Sequence, residues 1–161
     1  MICDRFPASG RRGARRSPAI DVVSDANVVL KWFHSGGEEE VEPARSLLAA
    51  QRERTVALHM LDLTPYEVGN ALLRGRLGVS AERVTIVLGA LREICPAITP
   101  THGDLGEAAA LAEEHHLTLS DAAYAAVGRR RHAPLVTLDR GLLRAGLGLR
   151  PSELASKPPP T

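Results

Sequence analysis

The chain has 161 residues and a net charge of +1, which is enough length for one domain with a buried core and too little charge for a bulk electrostatic nucleic-acid binder. Its aromatic residues, one Trp, two Tyr and two Phe, are too few for a platform on which single-stranded bases stack. Two cysteines exclude a disulfide framework and a zinc-type cysteine spacing, and no apolar stretch reaches the roughly 20 residues of a membrane span. We therefore expect a cytoplasmic protein.

The two ends of the chain differ from its middle. Residues 1–18 contain five arginines and one aspartate, with Gly and Pro in place of core-forming residues, so we predict a disordered basic N-terminal extension. This extension is either inert or an arm that contacts RNA. Residues 19–154 carry the apolar pattern of one folded domain, and residues 155–161, with three prolines, predict a frayed C-terminal tail.

The first element is a short β-branched apolar run from Ile20 to Val23, which is typical of a buried strand. A helical pattern from Val28 to Phe33 follows almost at once, so Asp25 lies in the loop at the carboxyl end of the strand. Ligands bind at this edge in open α/β sheets. Asp25 also has an ordinary interpretation as a helix cap, so this residue alone decides nothing.

The helix predicted over residues 62–74 carries a second acid of interest. Thr64 is its predicted cap, and Pro65 takes the first helical position. Glu67 lies on a polar stripe that either faces solvent or reaches a site. Leucine and valine are abundant in the hairpin that residues 66–94 form with the next helix, and this hairpin predicts a face that pairs two copies of the chain.

Two further acids lie at the junctions of later elements. Asp121 begins a helix that is otherwise rich in Ala, Val and Tyr, and a carboxylate at the start of so buried a helix is costly unless it has a partner. Thr137 and Asp139 end a buried strand predicted over residues 133–139. The other predicted elements are helices over 38–54, 80–94, 101–115 and 141–145 and strands over 55–60, 96–99 and 147–149.

Alternating strands and helices predict an α/β fold, a single domain with a mainly parallel central sheet flanked by helices. Right-handed crossovers can bring the strand ends that carry Asp25 and Asp139 to one edge, with Asp121 and Glu67 beside them. Four converging carboxylates cannot all stay ionised without cations. Their oxygen ligands suit Mg²⁺ or Mn²⁺.

Four short motifs follow one another along the chain. They are Val-Ser-Asp25-Ala-Asn27-Val-Val, Pro-Tyr-Glu67-Val-Gly-Asn-Ala-Leu, Leu-Ser-Asp121-Ala-Ala-Tyr and Val-Thr137-Leu-Asp139. In this order they resemble the motifs of the PIN-domain ribonucleases, and among these the VapC-type toxins of bacterial toxin–antitoxin pairs. The resemblance covers roughly residues 20–154. The basic extension departs from it, since family members usually start almost at the first strand.

The resemblance implies an endoribonuclease that hydrolyses RNA phosphodiester bonds with one or two Mg²⁺ or Mn²⁺ ions. The implied metal ligands are Asp25, Asp121 and Asp139. Glu67 is implied as a ligand through water or as a proton acceptor. The residues implied to orient waters are Asn27 and Thr137.

The resemblance also implies two partners, an RNA substrate and a small antitoxin protein that blocks cleavage. Because a metal-free acidic groove repels RNA, basic residues at its rim would attract the phosphates. The candidate RNA-binding residues are Arg129, Arg130, Arg131, Lys31 and Arg74.

Two other classes of protein stay open. A haloacid-dehalogenase-like phosphatase also places an aspartate after its first strand, but it needs Asp-x-Asp, and Asn27 stands at the second position here. A non-catalytic PIN-like scaffold that binds RNA or a partner is the other alternative. A binder of polyanions gains nothing from four unneutralised acids, which speaks against the scaffold.

Overall fold

The computed structural model describes residues 19–33, 38–75 and 78–156, so the predicted extension over residues 1–18 and most of the predicted tail lie outside the described residues. None of the helices in these ranges is both long and apolar enough to span a bilayer. The strands are β1 (Ile20–Ser24), β2 (Val56–Leu61), β3 (Ala97–Ile98) and β4 (Leu135–Val136). The helices are α1 (Ala26–Trp32), α2 (Val41–Arg52), α3 (Thr64–Arg74), α4 (Ala81–Ile94), α5 (His102–His115), α6 (Leu119–Arg130), α7 (Arg140–Arg144) and α8 (Pro151–Ala155).

The four strands form one sheet in the order β3-β2-β1-β4. All three strand pairings are parallel, and helices cover both faces, which confirms the predicted α/β fold. β1 lies in the interior of the sheet, with Val23 paired to His59 of β2 on one side and to Leu135 of β4 on the other. The carboxyl ends of β1 and β4 are therefore neighbours, and the Asp25 backbone N–H donates to the Val136 carbonyl at 3.0 Å.

The core has two halves, one on each face of the sheet. Successive side chains of a strand point to opposite faces, and both Val22 and Val23 are completely buried. Val22 packs in a cluster with residues of α1 to α4, whereas Val23 packs with residues of α5, α6 and α7. A strand covered on both faces explains the uninterrupted apolar run from Ile20 to Val23.

The start of α3 differs from the prediction. Leu63 takes the N-cap position in place of Thr64, and no side chain caps this helix. The Thr64 hydroxyl is fully buried and accepts a hydrogen bond from the Leu61 backbone N–H at 3.1 Å. The prediction of Thr64 as cap was wrong because the side chain turns inward, toward the strand end, rather than along its own helix.

The end of the chain also differs from the prediction. β4 covers two residues because the chain turns toward α7 after Val136, and the predicted last strand is a single bridge between Val136 and Leu149. Helix α8 was not predicted and includes Ala155, at which the tail was expected to begin. Glu40 accepts hydrogen bonds from the Ser152 backbone N–H at 3.0 Å and hydroxyl at 2.6 Å, a tertiary contact that fixes this helix.

Candidate active site

Asp25 lies at the carboxyl end of β1 and takes the N-cap position of α1, yet its side chain makes no capping hydrogen bond. Its carboxylate instead accepts a hydrogen bond from the Thr137 hydroxyl at 2.6 Å, across the junction with β4. Only 4% of Asp25 is exposed. The interpretation of Asp25 as an ordinary helix cap therefore fails, because its carboxylate makes no capping hydrogen bond and binds the Thr137 hydroxyl instead.

Three acids interact electrostatically at this edge of the sheet. Burial, together with the charges of Glu67 and Asp121, raises the pKa of Asp25 to about 6, against the lowering effect of the hydrogen bond from Thr137. Burial also raises the pKa of Glu67, and Asp121 adds to that effect. Asp25, Glu67 and Asp121, which we call the acid group, come from three different elements and carry like charges into a partly buried region.

Asp139, the fourth predicted acid, is joined to the acid group through Thr137. The Asp139 backbone N–H donates to the Thr137 hydroxyl oxygen at 3.0 Å, and that hydroxyl donates to Asp25. One carboxylate oxygen of Asp139 accepts from the Leu142 backbone N–H at 2.9 Å and caps α7. Asp139 therefore lies beside the acid group, with one of its carboxylate oxygens already bound to the backbone of α7.

Asn27 has a structural contact in addition to its place beside Asp25. Its side-chain oxygen accepts a hydrogen bond from the Leu138 backbone N–H at 3.0 Å. This bond holds the segment between Thr137 and Asp139 against the start of α1. Asn27 thus positions the loop that carries two of the predicted site residues.

Asp121 lies in the first turn of α6, whose N-cap is Thr118. The Thr118 hydroxyl accepts from the Asp121 backbone N–H at 3.1 Å and donates to the Asp121 carboxylate at 2.5 Å. The dipole of α6 stabilises a carboxylate in its first turn, and this stabilisation offsets part of the repulsion between Asp121 and the other two acids, Asp25 and Glu67.

Glu67 contacts a buried residue, Tyr124, that the sequence analysis did not single out. Tyr124 of α6 donates to the Glu67 carboxylate at 2.7 Å, and the hydroxyls of Thr64 and Tyr124 lie 2.7 Å apart. One signal for Tyr124 exists in the sequence. It is the one aromatic residue of a buried, alanine-rich helix, and a buried Tyr hydroxyl needs a hydrogen-bond partner.

The predicted arginine patch lies at the other end of α6, about 12 to 15 Å from Asp121 along the helix axis. Each of its three arginines forms an ion pair with an acid of the fold. These pairs are Arg129 with Glu107 at 3.2 Å, Arg130 with Asp104 at 2.7 Å and Arg131 with Asp21 at 3.0 Å. These pairs do not favour the three arginines as RNA contacts, and that role stays a prediction.

The other two predicted basic residues lie on α1 and α3. Lys31 forms an ion pair with Glu38 at 2.5 Å. Arg74 is exposed in the last turn of α3, the helix that carries Glu67.

The donor set of the acid group fits a hard divalent cation in kind, because it consists of carboxylate oxygens whose mutual repulsion a cation would relieve. As the side chains are placed, however, no group of three or more His, Cys, Asp or Glu within the described ranges is arranged to hold a metal ion. The structure thus supplies the ligand chemistry without a preformed three-ligand cage.

Comparisons with known proteins identify the family. The PIN domain family description matches residues 22–147. Over 127 residues the chain is 37% identical to Ribonuclease VapC3 of Pyrobaculum aerophilum, which covers 76% of this chain and 92% of that protein. The crystal structure of PAE2754 from the same organism superposes with a TM-score of 0.63 and 27% identity, over 84% of this chain and 94% of that one.

A toxin–antitoxin complex from Klebsiella pneumoniae shares the fold, with a TM-score of 0.57 and 18% identity over 81% of this chain and 97% of that one. The family match spans most of the folded chain, and the 37% identity to the VapC relative extends over about three quarters of the chain. This chain belongs to the PIN domain family.

Proposed function

We propose that this chain is a metal-dependent endoribonuclease and the toxin component of a type II toxin–antitoxin system. The acid group carries the proposal, because burial and the neighbouring acids raise the pKa of two of its carboxyl groups. Such a group lowers the stability of the folded chain unless a cation binds there. The 37% identity to a protein named as a VapC ribonuclease supports RNA hydrolysis as the reaction.

The residues that would hold one or two Mg²⁺ or Mn²⁺ ions are Asp25, Glu67, Asp121 and Asp139. A bound ion would supply an activated water and would neutralise charge on the attacked phosphate. Thr137 fixes the Asp25 carboxylate through a short hydrogen bond, and Asn27 fixes the loop before Asp139. We propose that these two residues set the positions of the ligands rather than orienting waters alone.

RNA is the proposed substrate, and the antitoxin is the proposed protein partner. Arg74 remains a proposed RNA contact, because it is exposed on the helix that also carries Glu67. An antitoxin would meet the same carboxylates with a basic side chain, since bidentate pairing between arginine and carboxylate is strong. A structural neighbour that is itself a toxin–antitoxin complex supports this partner.

The two alternatives are weaker. A phosphatase of the haloacid-dehalogenase type needs a second aspartate where Asn27 binds the Leu138 backbone. A non-catalytic scaffold does not explain why like-charged acids from three elements meet at the carboxyl edge of the sheet.

The test is cleavage of single-stranded and structured RNA by purified protein with added Mg²⁺ or Mn²⁺. We expect cleavage that EDTA abolishes and excess Mn²⁺ restores, and Asp121→Asn should lose it. Glu113→Gln, which changes an exposed acid on α5, is the matched control and should cleave normally. Undiminished cleavage in EDTA would exclude the metal mechanism, and release of phosphate without chain scission would favour a phosphatase.

A further inference from the structure

A relay of buried hydroxyl groups lies behind Glu67. The Leu61 backbone N–H donates to the Thr64 hydroxyl oxygen at 3.1 Å, the Thr64 and Tyr124 hydroxyls are 2.7 Å apart, and Tyr124 donates to Glu67 Oε2 at 2.7 Å. Thr64 and Tyr124 are both completely buried. The relay therefore joins the end of β2 to an acid on α3 through a side chain of α6.

The carboxylate fixes the direction of every proton in this relay. An ionised Glu67 only accepts hydrogen bonds, so the single hydroxyl proton of Tyr124 must point to it. Tyr124 then accepts the proton of Thr64, whose own oxygen accepts the Leu61 N–H. Each group is satisfied, and the relay ends on one defined oxygen of Glu67.

We propose that Tyr124 is a positioning residue of the nuclease site, and that its hydroxyl holds the Glu67 carboxylate in the orientation that binds the divalent cation. This inference rests on the proposed function. A glutamate side chain has three rotatable bonds, whereas the Tyr124 ring is locked in the core. The hydrogen bond from Tyr124 on the rigid helix α6 therefore restricts the conformations of Glu67, a half-buried acid on α3.

The placement of Tyr124 on α6 strengthens this inference. Tyr124 follows Asp121 by three residues, so the two side chains lie on neighbouring turns of one helix. One helix thus supplies Asp121 itself and the group that holds Glu67. The separation of these two acids is set by α6 as a single rigid element, and groups that orient metal ligands in this way typically change metal affinity 10- to 100-fold when removed.

The experiment measures Mn²⁺ affinity by titration calorimetry and RNA cleavage by steady-state kinetics in six purified full-length proteins. They are the wild type, Tyr124→Phe, Tyr66→Phe, Val127→Ala, Glu67→Ala and the double variant that combines Glu67→Ala with Tyr124→Phe. Tyr66→Phe removes the hydroxyl of a tyrosine that is 76% exposed and is the chemical control. Val127→Ala shortens a buried side chain on the same helix and is the control for lost stability alone.

We expect Tyr124→Phe to bind Mn²⁺ roughly 10- to 100-fold more weakly and to lose kcat with little change in the KM for RNA. Tyr66→Phe should match the wild type in both measurements, and Val127→Ala should have a lower Tm at unchanged Mn²⁺ affinity. Adding Tyr124→Phe to Glu67→Ala should have no further effect on Mn²⁺ affinity, since Tyr124 acts through Glu67.

Unchanged Mn²⁺ affinity in Tyr124→Phe would overturn the inference, and so would an equal loss in Val127→Ala. A further loss on top of Glu67→Ala would also overturn it, because Tyr124 would then act through another group. A wild type that binds Mn²⁺ and cleaves RNA in the same experiment keeps the proposed function intact in each of these cases. A wild type that binds no Mn²⁺ would overturn the proposed function and this inference with it.

Discussion

Asp25 combines nearly complete burial with negative neighbours, and both raise its pKa, to about 6 from a usual value of 3.8. A carboxyl group of this kind binds its proton more tightly in the folded chain than in the unfolded chain. Its contribution to stability is therefore complete below about pH 4 and is lost as the pH rises through about 6. The gap between the two pKa values corresponds to about 3 kcal/mol.

We expect this loss to be visible in metal-free protein. The free energy of unfolding of the wild type should fall, relative to that of Asp25→Asn, by up to about 3 kcal/mol between about pH 4 and pH 7. Denaturant unfolding of both proteins in EDTA across this range measures the difference. Parallel curves for the two proteins would show that Asp25 ionises as freely as an exposed acid.

Asn27 gives a second prediction at the level of one residue. Asn27→Ala removes the acceptor of the Leu138 N–H, and losing such a partner costs about 1 to 2 kcal/mol of unfolding free energy. Urea unfolding measures this cost, and Asn70→Ala, an exposed asparagine on α3, is the matched control with little expected change. Equal stabilities for the two variants would mean that the hydrogen bond contributes nothing.

At the scale of one element, the arginines at the end of helix α6 form ion pairs with acids of neighbouring elements. The run of three arginines at its C-terminal end predicts a phosphate-binding patch, but all three bind acids of the fold. Burial alone would raise the pKa of Asp104, yet the hydrogen bonds from Arg130 and from the Thr101 backbone lower it. The side chain of Asp104 is 1% exposed, so Arg130 serves mainly to neutralise a buried acid.

Arg130→Ala should therefore destabilise the protein by about 1 to 3 kcal/mol, because it leaves the Asp104 carboxylate without its cation. Arg129→Ala, which breaks an exposed pair with Glu107, should change stability by less than about 1 kcal/mol. Thermal unfolding measures both, and kcat/KM for RNA should stay at the wild-type value in each. Lost RNA affinity without lost stability would restore the arginine patch as an RNA contact.

At the same scale, local patterns were predictable and tertiary contacts were not. The helices predicted to begin at residues 80 and 101 do begin there, and the side chains of Ser80 and Thr101 cap them by accepting from the backbone N–H three positions ahead. Thr64 fits a cap equally well by sequence, but its hydroxyl turns to Leu61 and Tyr124 in the core.

The candidate site follows the same rule. The acids could be proposed from their types and from their places at element junctions. The bond of Thr137 to Asp25 spans 112 positions of sequence, so no local pattern indicates it.

On the scale of the whole molecule, the exposed apolar side chains favour pairing of two chains. Five large apolar residues are exposed in the described ranges, and three of them, Tyr66, Leu73 and Ile86, lie on the hairpin of α3 and α4, at 76%, 49% and 65% exposed. An exposed apolar face of this kind marks a protein interface. The predicted homodimer through residues 66–94 therefore stays a prediction with a defined surface.

Charged substitutions on this hairpin should separate the two copies. Ile86→Glu combined with Leu73→Glu should halve the mass measured by light scattering, because two charges would be buried in the interface. Leu105→Glu, which changes a 43% exposed leucine on α5, is the control and should keep the wild-type mass. A wild type that is already monomeric would contradict the prediction, and so would a double variant with unchanged mass.

The central claim is that the acid group binds a divalent cation, and the most direct test is the anomalous scattering of crystals soaked in Mn²⁺. We expect a Mn²⁺ peak within coordination distance of carboxylate oxygens of Asp25 and Asp121, with Glu67 beside it directly or through water. The same soak of Asp121→Asn crystals should show a weaker peak or none. Full Mn²⁺ occupancy elsewhere on the protein, with these carboxylates unliganded, would contradict the account.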